Sequence, residues 1–293
     1  MGSNDPVSNK LAGDPDSPLG QEIARRAKSH LKKIRKLSVG ACLGDVDAVH
    51  DMRVEVRRLR ALIRLKRDFL KRKGLKPLAA FAKDLGCKLG AVRAEDVLIM
   101  RLRELCPSDA LRILEIGVAL RRSVCAKQLC SLLESGGFNA WLKGVENHLC
   151  CEDGPNEHVR DFADRALKRA FEPLGARSGM DGLATLQEMH SLRIHAKKFR
   201  YVLEFFARST SWDASSTLAK LPDLQDYLGE LHDEDVLLQE LHGAQKLAVE
   251  WRAKEVEELK EAATNVQRSI DQQRKAAPEH WAFLFKDLPA VLR

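Results

Sequence analysis

The chain has 293 residues, 44% of them hydrophobic, only 5% aromatic, with 10 Pro, 18 Gly and a net charge of +7. That apolar content supports a packed core and excludes a globally disordered chain. Few aromatics and long runs of Leu, Ala, Arg, Lys and Glu argue against a β-rich protein and predict an all-α fold. No apolar run reaches the ~18 residues of a membrane span, so no membrane association is expected.

Residues 1–17, rich in Gly, Ser, Asn, Asp and Pro, read as a flexible tail. Helical periodicity then predicts segments at 18–40, 46–73, 77–90, 94–105, 108–134 and 137–149. Pro107 and Gly136-Gly137 act as stops, and a break follows at Asp153-Gly154-Pro155. Six more helices are predicted at 157–178, 182–208, 214–229, 233–245, 246–275 and 278–291, with Pro222 in an early turn. The chain thus divides into two helical halves, 18–152 and 153–293.

Cys42, Cys87, Cys106, Cys125, Cys130, Cys150 and Cys151 form an odd set without a CxxC, and no secretory signal opens the chain. Reduced thiols in a cytoplasmic protein are therefore expected.

The two halves read as copies. Val49-His50-Asp51-Met52-Arg53 aligns with Met189-His190-Ser191-Leu192-Arg193, and Arg57, Arg58 and Arg60 align with Lys197, Lys198 and Arg200. Arg25 and Lys28 fall on Arg165 and Lys168 at the same offset of 140. Leu89-Gly90, Arg93 and Asp96-Val97 match Leu228-Gly229, His232 and Asp235-Val236 at an offset of 139. An offset so nearly constant indicates internal duplication, and similar halves in one chain pack by the logic of symmetric dimers.

Charge is segregated. Residues 49–73 carry +7, 21–37 carry +6 and 189–208 carry +4, so the rest of the chain is net −10. A local positive field of this kind suggests an anionic partner. Along the second predicted helix His50, Arg53, Arg57, Arg60, Arg64, Arg67 and Lys71 recur at intervals of three and four, one seam of a helix. The neighbouring seam, Val49, Met52, Val56, Leu59, Ile63 and Leu70, is apolar and expected to bury. The basic seam therefore lies at the edge of the packed face. At 1.5 Å per residue it spans ~30 Å, a rail for an extended polyanion. Arginine suits this purpose, because its planar fork binds phosphate oxygens bidentately. The second copy runs His190, Arg193, Lys197, Arg200 and stops at Glu204, with Lys198 and Tyr201 at its border. Its apolar seam is Met189, Leu192, Ala196, Phe199, Leu203 and Phe206. Arg25, Lys28, Arg165 and Lys168 are expected to add charge from the preceding helices.

The pattern H-x-x-R-x-x-x-[RK]-[RK]-x-R thus occurs twice, each time followed some 35 residues on by L-G-x-x-[RH]-x-x-D-V. In this the chain resembles the CHAD family, the conserved-histidine α-helical domain, over roughly residues 18–292. The resemblance implies two antiparallel helical bundles related by a pseudo-two-fold axis around a basic central cavity. It implies non-catalytic binding of inorganic polyphosphate, without cofactor or metal, in cytoplasmic proteins that can associate with polyphosphate granules. By motif position the binding residues would be His50, Arg53, Arg57, Arg58 and Arg60 with His190, Arg193, Lys197, Lys198 and Arg200; Arg64, Tyr201, Arg25, Lys28, Arg165 and Lys168 join them from the charge pattern. Arg93 is followed by Ala94 where the family favours Asp. His232 reads equally as a turn residue or as part of the site.

Three other functions compete. His50-Asp51 and His232-Asp233 resemble the dyad of metal-dependent HD phosphohydrolases, but Ser191 replaces the Asp in the repeat and neighbouring arginines disfavour a cation. No P-loop is present. General polyanion or nucleic-acid binding fits the charge, yet the rail lacks interleaved aromatics and base-reading Asn or Gln, which disfavours nucleic acid. The Glu-rich face of the predicted helix 246–275 could scaffold a protein partner.

Overall fold

The computed structural model describes residues 13–70, 74–105, 107–151, 157–175, 185–250 and 255–286. They form α1 (Leu19–Cys42), α2 (Val46–Leu70), α3 (Leu75–Glu104), α4 (Asp109–Leu133), α5 (Gly136–His148), α6 (Val159–Gly175), α7 (Leu186–Phe206), α8 (Ser215–Glu250) and α9 (Val256–Lys286). No β-strand occurs among the described residues; there is one isolated bridge, between Pro18 and His158.

Helix starts follow capping chemistry. Ser108 and Ser135 accept from the backbone N–H of Leu111 and Phe138 at 3.3 and 3.2 Å. Thr185 and Glu188 form a reciprocal capping box, so α7 starts at 186, not at 182 as periodicity alone suggested.

Several predicted helices merge. The segments 77–90 and 94–105 are one helix, α3, and 214–229 and 233–245 are one helix, α8. Gly90 and Gly229 lie inside these helices, where an interior Gly costs only ~1 kcal/mol relative to Ala. The flanking Leu89, Val92, Leu228 and Leu231 are all buried and hold the helices together. Pro222 lies inside α8 and not in an early turn, and Pro278 lies inside α9. Each is bracketed by buried side chains, Leu221 and Leu224 in one case and Ala277 and Trp281 in the other. That packing outweighs the hydrogen bond each proline forfeits. The predicted helix 246–275 begins in α8 and continues in α9; residues 251–254 lie outside the described residues. So does most of the break near 153, together with Lys71 and residues 1–12.

The starts of α6, α7 and α8 each fall 140 residues after those of α1, α2 and α3. In each half, consecutive helices pack on one another, α1 to α4 and α6 to α9. Where the halves meet, each helix touches its own counterpart: α2 on α7, α3 on α8, α4 on α9. The segments leading into the halves also pair reciprocally. Leu19 N–H donates to Glu157 O and Val159 N–H to Ser17 O, both at 3.0 Å. Gly13 N–H donates to Phe205 O at 2.8 Å. Residues 13–17, expected at the end of a flexible tail, are therefore tied to the second half.

The core runs through both halves. The apolar seam of α2, Val49 to Ile63, and that of α7, Met189 to Phe206, are buried along their described lengths. Lys66 is fully buried on α2, donating to Leu149 O at 3.2 Å and Cys151 O at 2.8 Å. These carbonyls solvate its ammonium as water would.

The expectation of uniformly reduced thiols is corrected at one pair. Cys42, at the end of α1, and Cys130 on α4 form a disulfide, their Cα atoms 4.3 Å apart. They are 88 residues apart in sequence, and only the packing of α1 on α4 brings them together. Cys87, Cys125 and Cys150 are free, Cys151 accepts from the Lys66 ammonium at 3.5 Å, and Cys106 lies outside the described residues. Among the described residues, no helix is long and apolar enough to cross a membrane.

Candidate functional site

Between the halves lies a cavity of about 560 Å³. One side is built by α2 and α7. Because the apolar seams of both helices are buried, the basic seams beside them are turned toward this space. His50, Arg53, Arg57 and Arg58 line it from α2, and Arg193, Lys197, Arg200 and Tyr201 from α7. Arg57 lies over the Tyr201 ring at 5.8 Å, bridging the two helices. Gly90 on α3 faces the Arg53 guanidinium, which a Cβ there would touch at an ordinary contact distance of 3.6 Å.

The cations are not equivalent. Arg58 reaches Glu55 at 3.5 Å, and Glu55 is buried against His30 at 2.6 Å and Lys33 at 3.2 Å. Arg200 is held by Glu204 at 2.7 Å and by Gln225 at 3.2 Å. By contrast, Arg53, Arg57, Arg193 and Lys197 have no carboxylate within salt-bridge distance among the described residues. The Nε atoms of Arg57, Arg58 and Arg193 are buried without a hydrogen-bond partner.

This crowding shows in their acidities. Burial, with Arg193, Arg57 and Arg53 close by, pushes the Lys197 ammonium down to about 7. Burial and neighbouring Arg57 and Arg193 lower Arg53 to about 10. His50 is lowered by burial and by Arg93. His232 is lowered to about 4 by burial, Arg193 and His190, so it is neutral near pH 7. A site with this much unsatisfied positive charge is costly when empty.

Some predicted site residues lie elsewhere. Arg60, Arg64 and Lys198 line an adjoining cavity of about 280 Å³, which shares Arg57, Lys197 and Tyr201 with the first. The basic path from His50 to Arg64 is thus ~21 Å long at the helical rise, shorter than the ~30 Å expected. Arg67 is drawn off to Asp68 at 2.8 Å. His190 does not line the cavity; its Nδ1 lies 3.3 Å from that of His232, which does.

Arg25, Lys28, Arg165 and Lys168 are corrected. They line neither cavity. Arg25 is instead bound to Glu22 at 2.9 and 2.6 Å, and Arg165 lies over Phe162 at 5.0 Å.

His232, which reads from sequence as either a turn residue or part of the site, lines the cavity, as do Arg93, Gly90 and Gly229 of the same motif. The motif aspartates do not: Asp96 binds Arg122, which also donates to Gly44 O at 2.7 Å, and Asp235 accepts from Gln239 at 3.0 Å. The opposite wall, on α8, carries Asp226, Glu230 and Asp233. Burial raises the Asp233 carboxyl above its ordinary value, against the pull of Arg193 and Arg101. The spacing of 226, 230 and 233 marks one face of a helix, and that was the signal available. Among the described residues, the only His, Cys and carboxylate group compact enough for a metal is Cys42, Cys130 and Glu134, none of which lines the cavity.

The molecule is therefore all-helical among its described residues, with a basic cavity that has one acidic wall. The CHAD domain family model matches residues 25–242, and the chain belongs to that family. Among solved structures it is similar to the CHAD domain from the plant Ricinus communis, with a TM-score of 0.74 and 22% identity over 92% of this chain and 93% of that one. It is also similar to PptA from Streptomyces chartreusis, with a TM-score of 0.68 and 15% identity over 91% of this chain and 100% of that one. A comparison with curated proteins gives no match.

Proposed function

We propose that this protein binds inorganic polyphosphate in the cavity between α2 and α7, without transforming it. The observation that carries the reading is the set of four cations, Arg53, Arg57, Arg193 and Lys197, that face one cavity from two helices with no carboxylate at salt-bridge distance among the described residues. An oligophosphate supplies what they lack: closely spaced anionic oxygens that accept charge-assisted bonds from several guanidinium groups at once. The carboxylates on α8 favour a lane for the anion along α2 and α7 and repel it from the far wall. The adjoining cavity extends that lane past Arg60 and Arg64, which favours a chain over a single phosphate. Such a site would draw the protein to polyphosphate granules.

The test is competition at physiological salt among long-chain polyphosphate, pyrophosphate, single-stranded DNA and heparin. Long-chain polyphosphate is expected to win by a wide margin, since a chain gains from linked contacts. Equal affinity for pyrophosphate would remove the lane. Equal displacement by DNA and heparin would reduce the site to general polyanion capture, and release of orthophosphate would overturn the non-catalytic reading.

A further inference from the structure

Away from the basic cavity, α4 turns a row of large apolar side chains to solvent. Ile113, Ile116, Leu120 and Val124 are 65, 62, 65 and 58% exposed. Their spacing of three, four and four makes one ridge on the helix. Beside the ridge lies a groove of about 550 Å³ between α4, the end of α8 and the start of α9. Leu114, Ala244, Leu247 and Leu259 line it, and the Arg121–Glu240 ion pair, at 2.8 Å, lies among its walls.

We propose that this face is a homodimer interface, in which the α4 ridge of each copy enters the groove of the other about a two-fold axis. Three observations favour a second copy. Ridge and groove match in length: Ile113 to Val124 and the groove wall from Ala110 to Arg121 each cover ~16 Å at the helical rise. They lie side by side on one face, as an isologous contact requires.

The exposed area is also right. At their observed exposures the four ridge residues and Leu247 leave roughly 600 Å² uncovered, at the upper limit of ~300–600 Å² for an ordinary monomer patch. With the groove walls added, it approaches the ~800 Å² per subunit of a standard interface.

Finally, Gly117 and Gly243 line the groove from mid-helix, and a Cβ on either would meet nothing within 4 Å. Among the described residues nothing calls for glycine there, although each costs helix stability. Close approach of a second backbone accounts for both.

Sedimentation equilibrium of the full chain, from low micromolar to the highest soluble concentration, tests the proposal. The expected result is a concentration-dependent species of twice the 32.9 kDa chain mass. Leu120→Glu, and separately Ile116→Glu, should weaken dimerisation roughly a hundredfold or more, because each buries an unpaired charge. Both sites are exposed in the single chain, so helicity by circular dichroism and polyphosphate binding should not change. Gly243→Leu is the complementary variant: it fills the groove, should raise helix stability and should still weaken dimerisation. A chain monomeric at every concentration would overturn the second copy as occupant and leave the face to another protein. A dimer that survives all three substitutions would overturn the location.

Discussion

Replacing Lys197 by methionine removes one of the four unpartnered cations and keeps most of its apolar stem. In the empty protein the ammonium titrates at about 7 instead of its ordinary 10.5. A group with a lowered folded pKa destabilises the folded state at any pH where the unfolded chain still holds the proton. The shift corresponds to an upper limit of about 4 kcal/mol at pH 7, and residual solvent contact reduces it to roughly 2 kcal/mol. Lys197→Met should therefore raise the thermal midpoint by about 4 °C in a chain of this length. The gap between variant and wild type should be nearly flat below pH 7. It should shrink as pH rises from 7 toward 10.5, where both states of the wild type become neutral. Binding should move the other way. Loss of one charge-assisted contact should weaken polyphosphate affinity roughly tenfold to a hundredfold and lower the salt slope by about one. Wild-type affinity should itself decline above pH 7, since the bound anion requires Lys197 protonated. Differential scanning fluorimetry and titration calorimetry at pH 6, 7.5 and 9 measure both arms. A variant with a lower thermal midpoint at pH 7, or with undiminished affinity, would falsify the claim that Lys197 is an unpaired cation facing the anion.

Arg57→Glu with Lys197→Glu should cut binding roughly a thousandfold or more at unchanged helicity, because two reversed charges then face the ligand; retained affinity in a filter-binding assay would place the site elsewhere. Asp233→Asn should tighten binding about tenfold at pH 7 by removing a buried like charge. That advantage should fade as pH drops through the raised pKa of Asp233, and a constant ratio across pH would contradict it. Thiol titration of the unfolded, unreduced chain should leave Cys42 and Cys130 unreactive. Cys42→Ser should cost at most about 4–5 kcal/mol by chemical denaturation, the chain-entropy limit for an 88-residue loop.

The sequence by itself determined the helical class and carried the doubled basic motif. Each depends on periodicity or on a repeated motif, and both are properties of the order of residues. The buried seam from Val49 to Ile63 placed the basic seam beside it because adjacent stripes on one helix turn together. Other features depended on which helices meet. Arg25, Lys28, Arg165 and Lys168 repeat in step with the motif, yet none of them lines either cavity. Glu204 and Glu55 decide which cations are neutralised; Glu55 also meets His30, 25 residues away, and no spacing rule gave that pairing. The acidic wall of α8, the Cys42–Cys130 bridge and the groove beside Ile113 likewise exist only once helices distant in sequence are packed together. A helix fixes which residues share a face, and only tertiary packing decides what that face meets.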